Sequence, residues 1–140
     1  WIFLWPHAPT VQGIEPDWSG WVRPQYCISE IDGLRPFIVL EVAWSQSSLS
    51  LADKLQKWLD LGVTWVIGID RSFTRSQTRI FARQIGRQEL ILDLTFSAGQ
   101  RAEFDVVLPK SLLFASFDIK GFDLHPEREN LVLPVRIVMD

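Results

Sequence analysis

Cysteine and histidine are nearly absent from this chain, and their scarcity closes off several chemistries. Cys27 is the only thiol, so there is no internal disulfide framework and no multi-cysteine zinc pattern. With only His7 and His125 beside it, a Cys/His metal site is disfavoured, and neither histidine has a nearby partner pattern, so both read as structural or surface residues. A carboxylate site for a hard cation remains open. Long apolar runs are also missing. Nothing approaches the roughly 18 residues of a membrane span, and Trp1 to Trp5 is too short for the core of a signal peptide. These absences predict a soluble, intracellular protein, cytoplasmic or nuclear, with no membrane partner. Basic charge is short as well: the net charge of −3 argues against a uniformly basic nucleic-acid binder. No repeat, linker or low-complexity tract is visible. The 140 residues, 47% of them apolar, are enough for one domain with its own core, expected to span 1–140. A start on WIFLW without Met is what a domain cut from a longer chain would show.

What is present centres on residues 37–70, FIVLEVAWSQSSLSLADKLQKWLDLGVTWVIGID, which read as strand, helix, strand. Phe37 to Trp44 is a short apolar run of strand-forming residues. One carboxylate, Glu41, interrupts it. Burying an ionised carboxylate costs several kcal/mol unless a cation compensates, so Glu41 is the first functional candidate. In the next segment Ser48 or Ser50 can cap a helix, Leu51, Leu55, Trp58 and Leu59 form its apolar stripe, and Gly62 is its natural stop. Lys54 falls at the edge of that stripe and is the helix's best-placed basic residue to reach over the sheet. An edge lysine also snorkels, laying its stem on the core with its ammonium in water, and the pattern leaves both roles open. Val63 to Asp70 returns as a second buried strand, with a turn expected at Asp70-Arg71.

Along the rest of the chain, Trp1 to Trp5 reads as a strand stopped by Pro6, and Val11 to Arg23 as a weak strand containing Pro16-Asp17. Tyr26 to Ile31 and the strand from Phe37 read as a hairpin about Asp32-Gly33. Thr78 to Ile85 and Glu89 to Ser97 suggest two further strands, the first with a competing helical stripe. Ala102 to Leu108 suggests another strand, Pro109 to Phe114 a helical turn, and Leu131 to Met139 a closing strand. The expected class is α+β with an α/β core: one curved, strand-rich mixed sheet with few helices.

Charge is unevenly distributed. Six of the fourteen basic residues lie within 71–101, against two acidic ones. Arg71, Arg75, Arg79, Arg83 and Arg87 recur every fourth residue, a spacing that keeps side chains together on a helix or on one strand face. They can track a phosphate backbone or form a solvated face. All seven tryptophans lie in the first half. Trp44, Trp58 and Trp65 are expected in the core; Trp18 and Trp21, beside Asp17, could stack on bases but more simply pack.

Asp17, Glu41 and Lys54 together make a chemically meaningful set. Two carboxylates on adjacent strands can hold a divalent cation, and a nearby lysine can orient or deprotonate a water. At these residues a resemblance emerges. Pro16-Asp17, then Val39-Leu40-Glu41-Val42, Ser45, Lys54-Leu55, and Gly62-Val63 leading into Trp65-Val66-Ile67-Gly68-Ile69-Asp70, resemble the Uma-type family of restriction endonucleases, in the PD-(D/E)XK nuclease superfamily. The match is strongest over 37–70 and weaker over 14–36. The resemblance implies a restriction-endonuclease-like curved mixed sheet with a helix between the acidic strand and the next strand. It also implies a Mg²⁺ (or Mn²⁺) site at Asp17, Glu41 and Val42, catalysis by Asp17, Glu41 and Lys54, and a DNA substrate, with a homodimer allowed. Ser45, Arg71, Arg75, Arg79 and Arg83 are the candidate nucleic-acid contacts, Ser45 also suiting a turn. The superfamily's usual lysine, two residues after the acidic one, is replaced here by Ala43, and Lys54 matches the helical lysine of the Uma-type family. The family's helical region before the Pro-Asp strand has no counterpart here; Glu15 or Glu30 could substitute for the carboxylate it sometimes supplies. Two readings result: a metal-dependent endonuclease-like domain, or a catalytically inactive module of the same fold that binds nucleic acid or a protein partner.

Overall fold

The computed structural model describes residues 2–6, 16–22, 36–44, 48–74, 76–97, 99–109 and 130–138. Six strands form a mixed sheet in sequential order: β1 (Ile2–Pro6), β2 (Trp18–Val22), β3 (Ile38–Ala43), β4 (Trp65–Thr74), β5 (Gln77–Gln84) and β6 (Leu92–Ser97). Every neighbouring pair is antiparallel except β3 and β4, which run parallel. Parallel neighbours need a crossover long enough to return the chain to the same end of the sheet. The helix α1 (Ser48–Asp60), the one helix among the described residues, supplies it. A second, two-stranded sheet pairs β7 (Arg101–Pro109) with β8 (Asn130–Val138). The α+β class therefore holds, but the strands fall into two sheets rather than one.

The helix ends where the sequence says it should. Gly62 takes a φ of 92°, a conformation that a side chain disfavours. Its amide donates to the Leu59 carbonyl at 2.9 Å, and the Val63 amide donates to the Trp58 carbonyl at 3.1 Å. That pair of bonds is a Schellman closure, which satisfies carbonyls otherwise orphaned at a helix end.

Leu51, Leu55, Trp58 and Leu59 then pack on Val39, Ala43, Val66 and Phe81 of the sheet. On the opposite face Ile38, Ile67, Ile69 and Ile80 are also buried, so β3 to β5 are covered on both sides. That is why β3 and the first half of β4 read as nearly unbroken apolar runs. Gly68 sets how closely the helix approaches. A Cβ there would lie 2.7 Å from the Phe81 ring and 2.9 Å from Leu55, so only glycine lets α1 rest this low over β4. Gly68 is also the register partner of Glu41, so the close approach occurs beside the buried carboxylate.

Several expectations change. No turn forms at Asp70-Arg71; β4 continues to Thr74 with an irregularity in its pairing after Asp70. The ambiguous segment 78–85 is strand β5: Thr78, Ile80 and Ala82 are buried on the face away from α1, and Phe81 is buried under the helix on the other. β3 takes β2 and β4 as its two neighbours, and the Tyr26–Ile31 half of the expected hairpin lies outside the described residues, as does the turn expected after Pro109. Trp58 and Trp65 are fully buried, but Trp44 is 66% exposed, because β3 ends at Ala43 and carries the indole past the edge of the core. No helix among the described residues is long and apolar enough to cross a membrane.

Candidate active site

β2 and β3 bring the two carboxylates side by side. The last register pair between them is Trp18 with Leu40, so Asp17 falls one step further, opposite Glu41. Asp17 is half-buried and its Oδ2 accepts the Val42 amide at 2.7 Å, which ties it to β3 next to Glu41. Pro16, buried just before it, has no amide to donate and restricts the chain as it enters this position.

Glu41 is 1% exposed and points toward α1. Trp58 Nε1 donates to its Oε1 at 2.8 Å, and Lys54 Nζ lies 2.9 Å from Oε2. Lys54 and Trp58 are one helical turn apart, so both address a single carboxylate from the same side of α1. Oε2 has no other partner among the described residues, and the ammonium approaches it as a close ion pair rather than an aligned hydrogen bond. Burial raises the Glu41 pKa above its ordinary 4.5, and the Lys54 ion pair and the Trp58 hydrogen bond oppose that rise only in part. The negative charge of Asp17 pushes it further up, which places the two carboxylates in electrostatic contact.

A carboxyl group that is harder to ionise folded than unfolded stabilises the native state below 4.5, and that contribution is lost as pH rises through the raised folded value. Urea unfolding of the wild-type chain is therefore expected to show a stability decline across this window that Glu41→Gln removes. Equal slopes in the two proteins would show that Glu41 carries no such penalty.

The pair fits a Mg²⁺-type cation by the chemistry of its donors. Such ions are commonly held by one or two carboxylates, with water completing the shell. Asp17 and Glu41 supply two oxygen ligands of like charge whose mutual repulsion a cation relieves, and Glu41 Oε2 lacks an aligned donor. Val42 is placed beside them by its backbone, with its amide already given to Asp17. No cluster of three or more His, Cys, Asp or Glu residues occurs among the described residues.

The arginines do not form the single row their spacing suggested. Arg71 is on β4 and stacks on Trp44, with Cζ 4.2 Å from the ring centroid. Arg79 and Arg83 project from β5 on the helix side and line a groove with Leu55 and Phe81. Asp93 takes Arg79 in a two-pronged pair at 2.8 and 3.0 Å, which holds the Asp93 carboxyl below its usual range and raises the guanidinium pKa. Arg83 donates to Gln56 at 2.6 Å, and Arg87 lies 3.7 Å from Glu89. Ser45, Arg75, Glu15, Glu30, Cys27 and both histidines lie outside the described residues.

Three features were missed from sequence. Trp58 passed as a core residue, although its spacing of four from Lys54 was the available hint that it shares Lys54's target. Gly68 sits in an apolar run with no turn signal, and its role depends on Phe81, a contact across the sheet. Asp70, 1% exposed, lies two positions beyond Gly68 and pairs in register with Ala43, which is two positions beyond Glu41. No family model, no curated protein and no solved structure matches this chain.

Proposed function

We propose that the chain is a metal-dependent endonuclease-like domain that hydrolyses phosphodiester bonds in DNA. The observation that carries this reading is the Lys54–Glu41 ion pair at 2.9 Å, with Asp17 bonded to the amide of Val42, the residue after Glu41. In this reading, Asp17 and Glu41 hold Mg²⁺ or Mn²⁺ beside the Val42 backbone. The cation would polarise a phosphoryl oxygen and lower the pKa of a bound water. Trp58 fixes the orientation of Glu41, and Lys54, one-third exposed at 34%, can turn from the carboxylate toward solvent to offset charge that develops on the phosphate.

A second reading has its own support. Both Glu41 oxygens already face protein groups, and Ala43 occupies the superfamily's usual lysine position. This favours a catalytically inactive module that binds nucleic acid or a protein partner. Plasmid cleavage in Mg²⁺ by protein cleared of contaminating nucleases separates the two. The endonuclease reading expects nicking that Asp17→Asn loses by about 10²-fold or more, the scale on which removing one transition-state contact acts. Undiminished cleavage by Asp17→Asn would refute it.

A further inference from the structure

We propose that Trp44 and Arg71 form a stacking platform for an unpaired nucleobase, so that the substrate strand at this site is single-stranded or locally opened. The proposal rests on the nuclease reading of the Asp17–Glu41 site.

The pair occupies a defined place. Ala43 and Asp70 are the last register partners of the parallel strands β3 and β4, and Trp44 and Arg71 each follow directly after one of them. They therefore lie together at the carboxyl end of the sheet's one parallel pair. Glu41 lies two positions before Ala43 on the α1 face of β3, and Trp44 follows directly after the strand's last residue.

The chemistry of the pair favours a base over other ligands. Trp44 is 66% exposed, whereas Trp58 and Trp65 are fully buried. An indole left in water at a strand end keeps a large apolar face open to a stacking ligand. The Arg71 guanidinium, 4.2 Å from the ring centroid, covers part of the ring and holds it by a cation–π contact. Arg79 and Arg87 are met by Asp93 and Glu89, while Arg71 is spent on an aromatic face and keeps its positive charge available to a phosphate. An exposed ring beside a cation is the arrangement on which single-stranded nucleic acids stack, because any base offers a π-face. Within a duplex those faces are occupied by neighbouring bases, so the platform selects an unpaired nucleotide.

The test is fluorescence anisotropy of a short labelled oligonucleotide, single-stranded and as a blunt duplex, with the whole chain in EDTA so that no cleavage occurs. Trp44→Ala is expected to weaken single-strand binding by about 10-fold, within the range for loss of one stacked base, and to leave duplex binding within about two-fold. Trp44→Phe should restore most of the loss. Arg71→Ala should weaken single-strand binding and reduce its logarithmic salt slope by about 0.7, the value for one phosphate contact on a single strand. The platform is overturned if Trp44→Ala binds single strands as wild type does, if it weakens duplex binding equally, or if wild type binds no oligonucleotide. Trp44-dependent binding by a chain that never cleaves would keep the platform and refute the nuclease reading. Unaltered single-strand binding by Trp44→Ala, in a chain whose cleavage depends on Asp17, would do the reverse.

Discussion

Glu41→Gln is expected to lower metal-dependent cleavage by about 10²-fold or more while leaving the folded chain as stable as wild type, or more so, near neutral pH. The two effects have opposite physical origins. The glutamine amide keeps the shape of the side chain and an oxygen to accept the Trp58 Nε1–H, so the 2.8 Å hydrogen bond survives. It carries no charge, and the desolvation that raises the Glu41 pKa disappears. Lys54 loses its counter-ion, but at 34% exposure its ammonium reaches water without leaving an uncompensated buried charge. Cleavage and urea-unfolding measurements on the same preparation decide the matter. Loss of several kcal/mol of stability would mark Glu41 as a structural group whose ion pair holds α1 to the sheet, and the active-site reading would lose its main support.

Trp58 is the position where substitution should affect stability most. Its side chain is fully buried among Val39, Leu55 and Val66, and its indole nitrogen satisfies one oxygen of Glu41. Trp58→Ala leaves a cavity costing about 3–5 kcal/mol and strips a donor from a buried carboxylate, which adds roughly 1–3 kcal/mol. Against the 5–15 kcal/mol that holds a typical domain together, this should unfold much of the population at moderate temperature. Trp58→Phe isolates the second effect. It refills most of the volume and still lacks the N–H, so the expected loss is about 1–3 kcal/mol, with the Glu41 titration moving further upward because one of the bonds that opposes its rise is gone. If Trp58→Phe matched wild type in both stability and pH profile, the indole–carboxylate bond would contribute nothing, and Glu41 would have to be held by Lys54 alone.

Much of the strand–helix–strand centre was legible because local signals agreed there. The Leu51, Leu55, Trp58 and Leu59 stripe, the Gly62 stop and the apolar runs on either side all point one way, and β3, α1 and β4 appear within a few residues of the expected places. Where the reading departed, the deciding contact was distant in sequence. Arg71 to Thr74 has the polarity of a turn but continues β4, because Thr74 finds Gln77 across a hairpin. β7 and β8 read as members of the main sheet, yet each takes the other as its partner, a pairing across twenty intervening residues that no local pattern encodes. Trp44 looked like core because it follows six strand residues; its exposure depends on β3 ending one residue earlier. The lysine reach was half legible. Helical geometry put Lys54 at the edge of the buried face, and only the low seat of α1 over Gly68 shows it meeting Glu41 rather than snorkelling away. The spacing of 24 residues between Asp17 and Glu41 carries no geometric information, and their adjacency comes from the β2–β3 register.

The central claim is that Asp17 and Glu41 form one cation site. Calorimetric titration of the chain with Mg²⁺, repeated with Mn²⁺, tests it without requiring a substrate. Saturable binding of one ion per chain, lost in both Asp17→Asn and Glu41→Gln, is the predicted result. An absence of binding in the wild type, or binding that survives both substitutions, would contradict it.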